Sequence, residues 1–151
     1  MNPAPNLALV GPMGAGKSAI GRLLGDRLGL RFADLDHEVE IAAGASVATI
    51  FECVGEAAFR ERERAALQEL LAGNGLVIAT GGGAVLDAGN RRLLRERCFV
   101  VHLQLDVPSQ LQRLARDRSR PLLQRPDRAQ ALRELASVRD PLYAEIAHLR
   151  F

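Results

Sequence analysis

Apolar and polar positions follow two rhythms along this chain. Short, nearly solid apolar runs, "NLALVG", "LRFADLD", "GLVIATGGG" and "CFVVHLQLD", each end at glycines or aspartates. Such runs between breakers predict strands buried on both faces. Between them the apolar residues recur at helical spacing. Ile20, Leu23, Leu24 and Leu28 predict a helix over Lys17–Leu28, ended by Gly29. A second helical stretch runs to about Ala43 and stops at Gly44, and a third covers Ser46 to Ala72 with an interruption at Gly55. Asp87 to Arg97 reads as helix, and Pro108 is placed to open another that runs to about Arg116. A last helix spans roughly Arg128 to Ala147, and "LRF" begins a further strand. The segment "RDRSRPLLQRPDR" carries too many charges and prolines for a packed element and reads as a mobile loop.

Strands alternating with helices predict an α/β fold, a parallel central sheet flanked by helices on both faces. Ligands of such sheets sit beyond the carboxyl ends of the strands. The Gly11–Ser18 loop, Asp34, Asp36 and Gly81–Gly83 all follow strands, so the fold gathers them in one crevice. With 151 residues, no internal repeat and no low-complexity tract, the chain 1–151 reads as one domain.

Charge and cysteine content narrow the partners. A net charge of +2 does not call for nucleic acid, and no apolar run is long enough for a membrane span or a signal peptide. Cys53 and Cys98 have no metal-ligand spacing and read as buried free thiols of a reducing compartment, which places the protein in the cytoplasm. Lys17 is the only lysine; every other basic side chain, histidines aside, is an arginine.

That lysine stands in "GPMGAGKS", which fits G-x-x-x-x-G-K-[ST], the phosphate-cradling loop. Gly11, Gly14 and Gly16 let the backbone approach phosphates, the helix N-terminus adds partial positive charge, Lys17 reaches the β- and γ-phosphates, and Ser18 offers a hydroxyl to Mg²⁺. The N-K-x-D motif of a GTPase is absent. Asp106 stands where a metal-binding aspartate ends a strand, but the helix start at Val107–Pro108 gives it a capping role instead. Asp34 is the better carboxylate for the Mg²⁺ side.

In "ADLD", Asp34 and Asp36 fall on one side of an extended segment, one for the metal and one for a substrate hydroxyl; the alternative is a pair of turn or N-cap aspartates. "FRERERAAL" reads mostly as a solvated helix face, with Arg60, beside Phe59, free to face the crevice instead. "TGGGAV" brings bare backbone to a small ligand or is a plain turn. "SRPLL" and "VRDPLY" each pair an arginine with a stiffening proline.

In this order, "GPMGAGKS", "DLD", "IFECVGEAAFRERE", "TGGGAV", "RPLL" and "RDPLY" resemble the shikimate kinases from Asn6 to Phe151. The resemblance implies a three-layer P-loop kinase fold with a lid over about 116–126. It implies transfer of the ATP γ-phosphate to the 3-hydroxyl of shikimate, a step toward the aromatic amino acids, with Mg²⁺, by a monomer. ATP would lie on Gly11, Met13, Gly14, Ala15, Gly16, Lys17, Ser18 and Ala19, with Arg113 on the adenine side or, equally, an exposed helix arginine. Asp36 would orient the acceptor hydroxyl or take its proton. Arg60 and Arg139 would hold the substrate carboxylate, and Gly81, Gly82 and Gly83 would line the pocket. Phe51 and Phe59 would pack near the ring or simply in the core. Arg120, in the lid, would stabilise the transferring phosphoryl group as a cis arginine finger.

The family continues through a last strand, an adenine-gripping loop and a closing helix, where this sequence stops at Phe151. Two rival readings follow: another small-molecule or nucleoside monophosphate kinase of the same architecture, or an ATP-binding module without turnover.

Overall fold

A computed structural model describes residues 5–115 and 126–151. The elements alternate as the apolar rhythm predicts: β1 (Asn6–Val10), α1 (Lys17–Leu28), β2 (Arg31–Asp34), α2 (Leu35–Ala43), α3 (Val47–Leu70), β3 (Leu76–Ala79), a 3₁₀ turn over Ala84–Leu86, α4 (Ala88–Arg97), β4 (Cys98–His102), α5 (Val107–Arg113), α6 (Arg128–Ile146) and β5 (Leu149–Arg150). The strands form one sheet in the order β2-β3-β1-β4-β5, and each neighbouring pair is parallel. The chain leaves β1 toward one edge and later crosses to the other, so β1 lies beside the point where the winding reverses. The crevice beyond its carboxyl end is where such sheets bind ligands.

The pairing register separates the two faces. Ala8 lies level with Ile78 and Val100, and Ile78 with Ala33. All four belong to the main core, with Leu67 and Leu71 near the end of α3, Leu94 of α4, and Tyr143 and Ile146 of α6. Leu9 and Phe32 point the other way, against α1. The helix has the predicted bounds, and its closest contact with the sheet is made at glycines. Leu23 and Leu28 are 50% and 53% exposed, whereas Gly21 and Gly25 are buried. A Cβ at Gly21 would stand 2.5 Å from the Phe32 ring, and one at Gly25 would stand 2.9 Å from the Leu30 carbonyl oxygen. Absent side chains, not leucines, let this helix lie close on the sheet.

Helix ends follow the capping residues. Asp34 caps α2, Ser46 caps α3, Asp87 caps α4 and Asp106 caps α5, each accepting a backbone N–H three residues on. The Asp106 cap is the role expected from its place before Pro108. Gly55, at φ 83° and ψ 172°, interrupts α3 as expected, and the ring centroids of Phe51 and Phe59 on either side of it lie 4.9 Å apart. Of the two thiols expected in the core, Cys98 is buried, whereas Cys53 lies on the exposed face of α3. At the far edge, "LRF" begins a strand: β5 pairs with β4, and the Phe151 N–H donates to the His102 carbonyl at 2.8 Å.

Candidate active site

The loop between β1 and α1 carries the donor half. Gly11, Gly14 and Gly16 all have positive φ, 148°, 87° and 90°. A Cβ at Gly11 would overlap the Leu103 carbonyl oxygen, so the loop can lie against the end of β4 only as glycine. Gly16 is the N-cap of α1, which aims the first free N–H groups of that helix into the loop. The Lys17 ammonium donates to the carbonyls of Gly11 at 2.7 Å and Pro12 at 2.9 Å, which folds it back over its own loop. Met13 and Ala15 are buried; the Met13 carbonyl accepts from Gln110 at 2.9 Å, and Ala19 sits exposed in the first turn of α1. Arg113 reaches back from α5 and donates to the Gly14 carbonyl at 2.9 Å, so it touches the loop directly. Arg120 and residues 116–125 of the expected lid lie outside the described residues.

The Ser18 hydroxyl donates to Asp34 Oδ2 at 2.5 Å, while Asp34 Oδ1 accepts the His37 N–H at 3.1 Å. Among the described residues, no group of three acidic, histidine or cysteine side chains could hold a metal alone. One hydroxyl and one carboxylate beside a phosphate loop nevertheless suit Mg²⁺, which takes most of its shell from phosphates and water.

Asp36 departs from the expected extended segment. The strand stops at Asp34, whose side chain caps α2, and Asp36 lies in the first turn of that helix. It still reaches the crevice, because it lies against Gly81. A Cβ at Gly81 would stand 2.6 Å from Asp36 Oδ1, one at Gly82 would stand 3.2 Å from an Arg139 guanidinium nitrogen, and one at Gly83 would overlap the Arg60 guanidinium. Each glycine of "GGG" is thus the seat of one charged side chain, brought respectively from α2, α6 and α3. The run is a floor and not a slack turn: Thr80 is tied to Leu9, and the Gly81 carbonyl accepts from Ala84 at 3.3 Å.

These residues surround a cavity of about 480 Å³, walled also by Met13, Phe51, Glu56, Phe59, Glu63 and Leu135. Phe51 and Phe59 both line it, and Phe59 also belongs to a buried cluster with Val39 and Ile50.

Two residues of the site escaped the sequence reading. Glu63, among the glutamates of "RERER", is 1% exposed and accepts from Arg60 at 2.9 Å. Burial raises its carboxyl above the ordinary value, an effect opposed by the charge and hydrogen bond of Arg60. Tyr143, in the noticed "RDPLY", is fully buried and donates to the Gly82 carbonyl at 2.6 Å. Burial pushes its phenol up to about 12 and pulls the Arg139 guanidinium below its ordinary value. Glu63 had a legible signal: it lies midway between Phe59 and Leu67, the buried residues four positions to either side. Arg62 and Arg64 behave as the solvated face expected, Arg64 standing 3.6 Å from Asp87.

A carboxylate and two guanidiniums facing one small cavity can orient a hydroxyl at one end of a ligand and neutralise an anion at the other. Comparison with known proteins gives that chemistry a lineage. A family model described as shikimate kinase matches residues 13–151. The chain is 60% identical to a shikimate kinase of Stenotrophomonas maltophilia strain K279a and 59% identical to one of Xanthomonas campestris pv. campestris strain 8004. Each comparison spans 99% of this chain and 83% of the relative. The solved shikimate kinase of Acinetobacter baumannii in complex with shikimate superposes with a TM-score of 0.95 at 51% identity, over 98% of this chain and 83% of that one. On this family match, these identities and this superposition, the chain belongs to the shikimate kinase family.

Proposed function

We propose that the protein is a shikimate kinase, transferring the γ-phosphate of ATP to the 3-hydroxyl of shikimate. The observation that carries this reading is the seating of Asp36, Arg139 and Arg60 on Gly81, Gly82 and Gly83, around a cavity that shares Met13 with the phosphate loop. The Acinetobacter baumannii enzyme, solved with shikimate, supports shikimate as the acceptor here.

Each group then has a task. The N–H groups of the Gly11–Ser18 loop and the N-terminus of α1 hold the phosphates, and Lys17 exchanges its loop carbonyls for phosphate oxygens. Ser18 and Asp34 would hold Mg²⁺, which neutralises charge on the transferring group. Arg60 and Arg139 grip the carboxylate of shikimate and its neighbouring hydroxyls with forked hydrogen bonds. Asp36 orients the 3-hydroxyl and accepts its proton as the new oxygen–phosphorus bond forms and the bond to the β–γ bridging oxygen breaks, releasing ADP. Arg113, held on the Gly14 carbonyl, braces the loop from the adenine side. A monomer in the cytoplasm completes the reading; no single helix among the described residues is long and apolar enough to cross a membrane.

Coupled ADP-release kinetics with Mg–ATP, with and without shikimate, test it. Shikimate-dependent release is expected. ATP hydrolysis indifferent to shikimate, or none at all, would overturn the assignment.

A further inference from the structure

Three groups meet at Gly82. The position a Cβ would take there stands 3.2 Å from an Arg139 guanidinium nitrogen, 3.5 Å from the Tyr143 hydroxyl oxygen and 3.9 Å from the Gly11 carbonyl oxygen of the phosphate loop. The Tyr143 hydroxyl donates to the Gly82 carbonyl at 2.6 Å and stands over the same glycine as the guanidinium of Arg139, one helical turn earlier on α6. The ring behind that hydroxyl is fully buried and rests against His102, with centroids 5.1 Å apart.

From this geometry we infer that Tyr143 is a positioning residue for the acceptor site: its hydroxyl fixes the Arg139 guanidinium and the Gly82 backbone to one another. The inference rests on the reading of the cavity as the shikimate site. Arg139 is the long, flexible member of the site, with several rotatable bonds between backbone and guanidinium. A forked grip on a carboxylate needs its nitrogens at one fixed height above the glycine floor. The phenol supplies that height. Its one hydroxyl donates to the Gly82 peptide and holds the glycine on which the guanidinium rests. Phenylalanine would fill the same space in the core and leave the Gly82 carbonyl without this donor. A packing role and a positioning role therefore separate at a single oxygen atom.

The test compares the wild-type chain with Tyr143→Phe, Arg139→Lys and the double variant, measuring kcat, the KM for shikimate, the KM for ATP and the thermal midpoint. Tyr143→Phe is expected to raise the shikimate KM about fivefold, the weight of one hydrogen bond, and to leave kcat and the ATP KM within about twofold. If the hydroxyl acts through Arg139, the double variant will match Arg139→Lys within about twofold. Gly82→Ala presses on the same joint from the floor and should raise the shikimate KM selectively as well. An unchanged shikimate KM in Tyr143→Phe would overturn the inference. So would losses that multiply in the double variant, or an ATP KM that rises in step with that for shikimate. Wild-type protein showing no shikimate-dependent release would instead overturn the functional reading beneath it.

Discussion

The two halves of the site are built on opposite plans. The donor half is one continuous loop of eight residues, Gly11 to Ser18, in which backbone does most of the work. The acceptor half has no such local origin. Its charged groups come from α2, α3 and α6, more than a hundred residues apart at the extremes, and meet only because each rests on a bare glycine. Glycine serves both halves for different reasons. In the loop it permits positive φ and an approach of backbone to backbone; in the floor it clears room for side chains. The same substitution should therefore fail in two distinguishable ways.

The sharpest break between the halves is Asp36→Asn. It removes the proposed proton acceptor while keeping size and hydrogen bonding, so kcat should fall on the order of a thousandfold. ATP binding, measured by calorimetry, should be unchanged; retained turnover would remove Asp36 from the chemistry. Gly11→Ala comes next. Its Cβ would meet main chain at Leu103, which cannot swing aside, and alanine is strained at φ 148°. A loss of about 2–4 kcal/mol in folding stability is expected by denaturant titration, with weaker ATP binding.

Gly83→Ala should behave otherwise. The overlapping group is the far end of Arg60, a side chain that can move but also holds the buried Glu63, so the stability loss should be smaller than that of Gly11→Ala without vanishing. The shikimate KM should rise about tenfold with the ATP KM unchanged, since one charge-assisted contact is misplaced. A stability loss equal to that of Gly11→Ala would erase the proposed difference between loop and floor.

The smallest effect concerns His102, buried at the end of β4 beneath the Tyr143 ring. Burial, and secondarily the charges of Arg150 and Lys17, hold its imidazole below the ordinary 6.5. A depressed folded value means that its contribution is whole above about pH 6.5 and is lost as pH falls toward the lowered value, where the unfolded chain binds the extra proton. The thermal midpoint should therefore drop between about pH 7.5 and about pH 5.5, and His102→Phe should shrink that drop.

Legibility in the sequence follows the same division. The donor loop could be read whole, because spacing alone dictates it. Asp36, Arg60 and Arg139 could be placed only through the ordered set of motifs, since nothing local tells a seated arginine from a solvated one. The periodicity of Ile20, Leu23, Leu24 and Leu28 matches the bounds of α1 and its end at Gly29, but does not show its close face, which Gly21 and Gly25 make. Alternation extended past Asp34 puts Asp36 on a strand, whereas Asp34 ends that strand by capping the next helix. Glu63 reads as solvated by its charge, whereas its place on a buried stripe with Phe59 and Leu67 decides its burial.

Lys17 is also the chain's single side-chain primary amine. Amine-directed acylation can therefore attach at one side chain and, besides it, only at the α-amino group. Each modified molecule would carry its record of phosphate-loop occupancy as one mass increment, slower to form when nucleotide covers the ammonium than when only the loop carbonyls hold it. A kinase with arginine at every other basic side-chain position except its histidines offers, without engineering, a one-site reporter of its own donor loop.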